Sequence, residues 1–509
     1  MTDANLFSRL AATVREPGRP AIERPGRPAM TYGDLLDGTA RLANRLVRLG
    51  LRPGDRVAVQ AEKSVEALLL YLAVVRAGGV YLPLNTAYTL PELAYFLGDA
   101  EPGIVVCDPG RRDGVAGIAG PVGATVETLG PGGEGSLLDG LDREPADFAT
   151  VPRAGDDLAA ILYTSGTTGR SKGAMLTHDN LVSNALTLID VWRFNAADVL
   201  IHALPIYHTH GLFVASNVVL FAGARMIFPA RFDAAEVLAL MDRATTLMGV
   251  PTFYVRLLQQ PGLGRETTAG MRLFVSGSAP LLADTHREWQ ARTGHAILER
   301  YGMTETGMNT SNPYEGDRVP GAVGFPLPGV SLRIADPETG APLPSGEIGM
   351  IEVKGPNVFT GYWRMPEKTA AEFRPDGYFV TGDLGLVDER GYVHIVGRGK
   401  DLIITGGFNV YPKEIEAEID AIPGVVESAV IGVPHADFGE AVTAVVVLAP
   451  GAAVDEAAVL GALAGRLARF KQPKRVVFVD DLPRNTMGKV QKAVLRDTCA
   501  SLYGAPAPR

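Results

Sequence analysis

Through its first four hundred residues the chain alternates short apolar runs with longer stretches of helical period, and this limits the possible folds more than any other feature. RVAVQAE (56–62), GVYLPLN (79–85), GIVVCD (103–108), ARMIFPA (224–230), TTLMGVP (245–251) and MRLFVSG (271–277) read as strands. SVEALLLYLAVVRAG (64–78) is apolar on every face and stops at glycine, so it reads as a buried helix; FDAAEVLALMDRA (232–244) reads as an amphipathic one. Strands separated by helices predict parallel sheet covered on both faces, an α/β architecture. Near Gly346 the pattern changes: IGMIEVKG and GYFVTGDLGLVDERGYVHIVG form a β-meander with a turn at Asp388-Glu389-Arg390-Gly391. Beyond Gly397-Arg398-Gly399-Lys400 a compact unit begins, with Pro412 at a first helical position and Ile415, Ile419 and Ile422 at helical spacing. Strands at VVESAVIGV, EAVTAVVVLA and KRVVFVD and a helix over VDEAAVLGALAGRLARF complete it. The expected organisation is a large domain of doubly wound sheets over 1–397, with a β-meander or barrel subdomain at about 320–397. A hinge at 398–400 and a small mobile α+β domain at 401–509 follow, since 509 residues exceed one typical domain.

Charge and hydropathy remove several classes of function. A net charge of −9 argues against nucleic acid, whose phosphates need a basic face. The two most apolar stretches, ALLLYLAVVRAGGVYLPL and LFVASNVVLFAGARMIF, are interrupted by Arg76, Gly78, Gly79 and Pro83, and by Asn217, Gly223 and Arg225. Neither reaches the ~20 uninterrupted apolar residues of a membrane span. The opening MTDANLFSRLAATVREPGRP carries charges and proline where a signal peptide needs an apolar core. Cys107 and Cys499 form neither a disulfide framework nor a metal-ligand spacing, which suits a reducing cytoplasm.

The segment YTSGTTGRSKG (163–173) packs glycines, hydroxyls and two cations directly after the apolar LAAIL. It is not a Walker A loop, since Lys172 precedes glycine rather than Ser or Thr. Backbone N–H groups, hydroxyls and Lys172 could cradle phosphate; by composition alone a solvated loop fits equally well. ERYGMTET (299–306) leaves a buried strand and opens into a turn at Gly302. There Glu305 can hold a hard cation such as Mg²⁺, and Tyr301 offers a flat face for a purine. SGSAP (276–280) also follows a strand, and ligands of open α/β sheets bind beyond the carboxyl ends of strands.

YTSGTTGRSKG, ERYGMTET, VTGDLG (380–385), GRGKDLIITGG (397–407) and PRNTMGKVQK (483–492) occur in this order. In these motifs the chain resembles the AMP-forming acyl-CoA synthetases of the adenylate-forming superfamily over nearly its whole length. One departure is Ser171, where the family commonly has proline. The resemblance implies ATP, Mg²⁺ and coenzyme A. It implies that Thr164, Ser165, Gly166, Thr167, Thr168, Gly169, Arg170, Ser171 and Lys172 hold the β- and γ-phosphates. Ser278, Ala279 and Pro280 on one side and Tyr301 on the other would sandwich adenine, with Glu299, Gly302 and Thr304 lining the same nucleotide site. Asp383 would bind the ribose hydroxyls, Arg398 the ribose and phosphate, and Glu305 the Mg²⁺. Lys489 would bridge the substrate carboxylate and the α-phosphate. The small domain would turn about Lys400 between half-reactions, bringing Gly406 and Gly407 beside the pantetheine.

For the acid, Arg300 is the informative residue. Relatives that activate apolar acids usually carry a small residue before this tyrosine, so a guanidinium here is either paired with the substrate's second anion or with a carboxylate such as Glu299. PIYHTHG (205–211) adds His208 at a pocket-wall position and His210 on the same face of an extended stretch; with His202 a zinc site is a weaker alternative. Ser276 and Met303 complete the expected acyl pocket. ERYGMTETGMNTSNPY and PIYHTHG together resemble the malonyl-CoA synthetases, which implies malonate, with methylmalonate second, as the acid ligated to CoA. The competing readings are a CoA ligase for another short or aromatic acid, a carrier-loading adenylation module, and a non-catalytic binding protein.

Overall fold

A computed structural model describes residues 3–24, 26–164, 171–406, 408–435, 437–464, 466–485 and 488–504. The chain divides into two compact units, one running to Ser331 and including Val353–Phe379, the other formed by Leu332–Glu352 and the chain from Val380 onward.

The first unit holds two large sheets. One has Val80–Pro83, Arg56–Gln60, Ile104–Cys107 and Thr125–Thr128 as parallel neighbours. On its other side Leu158–Thr164 runs parallel to Val80–Pro83, and Lys172–Thr177 then pairs with it antiparallel. The second sheet is parallel from Pro20–Glu23 through Arg225–Ile227, Val199–Ile201, Thr246–Gly249 and Leu273–Ser276 to Leu298–Met303. Near-continuous burial of these runs is what parallel strands covered on both faces require. The helix Val65–Arg76 is buried on every face, as expected from the sequence; Ser64 caps it by accepting from the Ala67 N–H.

In the second unit Phe379–Val387 and Val393–Arg398 form the expected antiparallel pair, part of a four-stranded sheet. The helix Pro412–Asp420 starts on its proline and buries Ile415 and Ile419. Strands Val425–His435, Gly439–Leu448 and Arg475–Val479 are present, the last parallel to its neighbour. The helix expected over 454–470 is shorter, Glu456–Leu463, and Gly461 weakens its last turn. No helix among the described residues is long and apolar enough to cross a membrane.

Candidate active site

Thr164 ends one strand and Lys172 begins the next, directly opposite each other in the ladder. The expected phosphate-binding segment therefore connects an antiparallel hairpin rather than opening a helix. Ser165, Gly166, Thr167, Thr168, Gly169 and Arg170 lie outside the described residues. Both ends of the segment are held by one helix, Leu90–Ala100. Its Tyr95 hydroxyl donates to the Ser171 carbonyl at 2.7 Å, and its Asp99 carboxylate accepts from the Tyr163 hydroxyl. Ser171, the departure from the family pattern, is thus tied down by a hydrogen bond.

Around that hairpin lies a cluster of charge. Glu305 is buried; its Oε1 accepts from the Tyr362 hydroxyl at 3.1 Å and stands 3.5 Å from Thr164 Oγ1. The same hydroxyl is 2.6 Å from Glu372 Oε2, while Glu372 Oε1 is 3.0 Å from Lys172 Nζ and 2.8 Å from Lys368 Nζ. Lys172 also sits over the Tyr362 ring, 4.1 Å from its centroid. Burial raises the Glu372 carboxyl, but hydrogen bonds from Lys368, Tyr362 and Lys172 outweigh it and the group stays ionised. The Tyr362 phenol is pushed up, first by burial and then by the two carboxylates. A buried carboxylate with two hydroxyls beside it fits Mg²⁺, which takes one or two protein carboxylates and completes its shell with phosphates and water.

The strand Leu298–Met303 does not turn at Gly302. It runs on to Met303 and folds back through Thr304, Glu305 and Thr306 onto Gly307–Ser311, with Gly302 facing Met308. Glycine is obligatory at 302, because a Cβ there would lie 2.0 Å from the Gly307 carbonyl oxygen. Tyr301 is buried on this strand, and Ser276 lies beside Glu299 on the neighbouring parallel one. The chain then enters Gly277 and Ser278, whose φ of +71° is left-handed. Ala279 is half-buried and Pro280 exposed. The sandwich segments expected for adenine are therefore carried by adjacent strands.

Glu299 and Arg300, consecutive in a strand, point to opposite faces. Glu299 accepts from His286 Nδ1 at 3.1 Å and from the Gly321 N–H at 3.0 Å. Arg300 is 3% exposed, and its Nε and one terminal nitrogen have no hydrogen-bond partner among the described residues. Burial pushes the guanidinium down to about 9, so it is protonated at neutral pH. Ser276 Oγ is likewise buried without a partner among the described residues.

PIYHTHG is not extended, in contrast to the sequence reading: it turns tightly and enters a π-helical segment at His210–Ser216. The cause is Gly211, whose α-carbon lies so close to the Pro205 carbonyl that a Cβ would fall 1.9 Å from the oxygen. Single π-turns often mark functional sites. The His208 ring lies tilted against Tyr207, centroids 4.7 Å apart, and His210 Nδ1 is 3.3 Å from Ser278 Oγ. Burial, then the Arg300 charge, pushes His210 well down, so its imidazole is neutral. His202 instead bonds the Gly211 carbonyl and Ser216. Among the described residues no group of three or more His, Cys, Asp or Glu could hold a metal, which removes the zinc alternative there.

In the second unit, Asp383 and Arg398 face each other across the ladder and pair at 2.7 Å. Lys400 lies in the 3₁₀ turn Gly399–Asp401. Gly406 is exposed with φ +57°, and Gly407 lies outside the described residues. Lys489 is exposed on a tight loop, where its N–H donates to Asn485 Oδ1 and its carbonyl accepts from the Asn485 N–H, both at 2.9 Å. Sequence reasoning missed Tyr95, Asp99, Tyr362 and Glu372. Nothing local marks them, since each acts across many tens of residues.

Comparison with known proteins bears on this arrangement. The AMP-binding enzyme family matches residues 10–363, and the AMP-binding enzyme C-terminal domain matches 414–489. The ATP-bound crystal structure of MatB from Rhodopseudomonas palustris is 72% identical, with a TM-score of 0.97, covering 99% of this chain and 100% of that one. A feruloyl-CoA synthase from Amycolatopsis sp is 39% identical over 93% of this chain and 94% of its own. The malonate–CoA ligase of Arabidopsis thaliana is 34% identical over 94% of this chain and 86% of its own.

Proposed function

The chain belongs to the AMP-binding enzyme family, and from that premise we propose that it ligates malonate, with methylmalonate as second substrate, to coenzyme A. It is an AMP-forming acid–CoA ligase that uses ATP, Mg²⁺ and CoA. It would act in a reducing cytoplasm, where the buried Cys107 and Cys499 stay thiols.

Arg300 carries the choice of acid. An apolar acyl chain would leave its guanidinium buried and unpaired, which costs several kcal/mol, whereas a second carboxylate supplies the missing acceptors. Ser276 Oγ offers a further donor in the same neighbourhood, and neutral His210 limits the positive charge there.

The residues divide the chemistry as follows. One malonate carboxylate oxygen attacks the α-phosphorus, the bond to the β-phosphate oxygen breaks, and pyrophosphate leaves. Two anions must meet for this, and cations at the reacting oxygens offset their repulsion. Lys172 would hold the departing phosphates and Lys489 would lie between carboxylate and α-phosphate. Asp383 and Arg398 would orient the ribose. Glu305 would hold Mg²⁺, which when bound neutralises phosphate charge. The CoA sulfur then attacks the acyl carbon and AMP leaves, after a turn about Lys400 that takes Lys489 away and brings Gly406 and Gly407 to the thiol.

A ligase for an aromatic acid is the second reading, favoured by the similarity to a feruloyl-CoA synthase. Pyrophosphate release measured over malonate, methylmalonate, butyrate, benzoate and ferulate, each with ATP, Mg²⁺ and CoA, separates the two. Malonate should give the highest kcat/KM. A preference for ferulate, benzoate or butyrate would overturn the dicarboxylate reading.

A further inference from the structure

Glu372 has no role in the chemistry above, yet it is where Lys172 is held. It takes Lys172 and Lys368 on Oε1 and the Tyr362 hydroxyl on Oε2. Lys172 and Glu372 are both largely buried, with side chains 13% and 19% exposed, so the ion pair is only weakly screened. A phosphate that takes Lys172 must take it from Glu372.

The geometry provides for that exchange. If Lys172 moves away, Lys368, one helical turn before Glu372, still neutralises the carboxylate. The Tyr362 hydroxyl has one proton and two carboxylate acceptors, Glu372 at 2.6 Å and Glu305 at 3.1 Å, and serves one at a time. Committing it to Glu372 compensates the lost lysine and leaves Glu305 to the cation that accompanies the phosphates. We infer that Glu372 is an exchange partner for Lys172, a positioning residue that competes with the phosphates for the lysine and so speeds the departure of pyrophosphate.

This rests on the reading of Lys172 as a phosphate ligand, and the test uses neither acid nor CoA. Titration calorimetry of the full-length protein with MgATP and with Mg-pyrophosphate gives the dissociation constants directly. Removing the competitor by Glu372→Gln should tighten both ligands by about tenfold, a typical interaction between close charges. Glu372→Ala should tighten them in the same direction, which guards against a misfolded Gln variant. Lys368→Met should weaken both by about threefold, because Glu372 then depends on Lys172 alone. The decisive comparison is the double substitution. In a Lys172→Met background, Glu372→Gln should change either constant by less than about twofold, since the lysine for which carboxylate and phosphate compete is gone. Unchanged or weaker binding in Glu372→Gln would overturn the inference. So would equal tightening with and without Lys172, which would mean that the carboxylate acts on the phosphates through its field. No binding of MgATP by the unsubstituted protein would overturn the ligase reading itself, a result distinguishable from either.

Discussion

Gly277 should decide specificity without touching the substrate. A Cβ built at this position would lie 2.5 Å from Arg300 Cζ, 2.6 Å from one terminal nitrogen and 2.7 Å from Nε. Ordinary contact begins near 3.4 Å, so in Gly277→Ala the guanidinium must retreat by about 1 Å. The backbone does not forbid the change, because φ at 277 lies outside the left-handed region. The obstacle is the far end of a flexible side chain, so the fold should survive with a modest overpacking cost, about 1–3 kcal/mol. Binding geometry should not survive. A displacement of about 1 Å at a positioned group typically costs about 10²-fold, and losing the pair altogether costs about 3–5 kcal/mol. Malonate kcat/KM should therefore fall about 10²-fold, while butyrate, which makes no use of the guanidinium, changes little. Steady-state kinetics on both acids, with melting temperatures, measures this. Arg300→Ala supplies the control: it should abolish the preference for malonate, and Gly277→Ala added to it should then be neutral. A parallel fall for both acids, or full additivity of the two substitutions, would refute the argument.

Three further outcomes are expected, the first two from the proposed roles of Lys489 and Lys400. Lys489→Ala should abolish adenylate formation yet still make thioester from synthetic malonyl-adenylate and CoA, and equal loss of both steps would contradict the two-orientation account. Lys400→Pro fixes φ near −65°, so ATP–pyrophosphate exchange should persist while thioester formation fails; normal rates for both would put the hinge elsewhere. His178, buried and accepting the Leu6 N–H on Nδ1, is pushed by burial down to about 4. Its unfolded form binds a proton below about 6.5 while the folded form stays neutral, so stability is full above that pH and is lost as pH falls towards 4. His178→Asn keeps an acceptor without the titration, and unfolding free energies from urea titrations at pH 7 and 4.5 should differ by about 2 kcal/mol less in the variant.

Elements built from local pattern were legible in the sequence. Apolar runs bounded by glycine or proline became strands, and Pro412 with Ile415 and Ile419 became a helix as read. Arg300 was identifiable because its neighbours in ERYGMTET gave it a context. What was not legible depends on distant partners. Whether Arg300 pairs with Glu299 was open until the fold brought His286 and Gly321 onto that carboxylate. The π-turn of PIYHTHG comes from one close approach between Gly211 and Pro205, which leaves no periodic trace. Glu372 lies 200 residues from Lys172, and no spacing rule joins them.

The antiparallel hairpin that flanks the proposed phosphate segment has a bearing on how such a protein can evolve. Its register is fixed by paired strand residues, Ile161 with Met175 and Leu162 with Ala174, of which Ile161, Leu162 and Ala174 are buried. If 165–170 hold the nucleotide as proposed, variation there is sampled for affinity, whereas variation at the buried 161 or 174 is tested first for folding. Selection for affinity and selection for stability thus fall on neighbouring but separate residues, so a lineage can retune its grip on ATP without first acquiring compensating changes in the core.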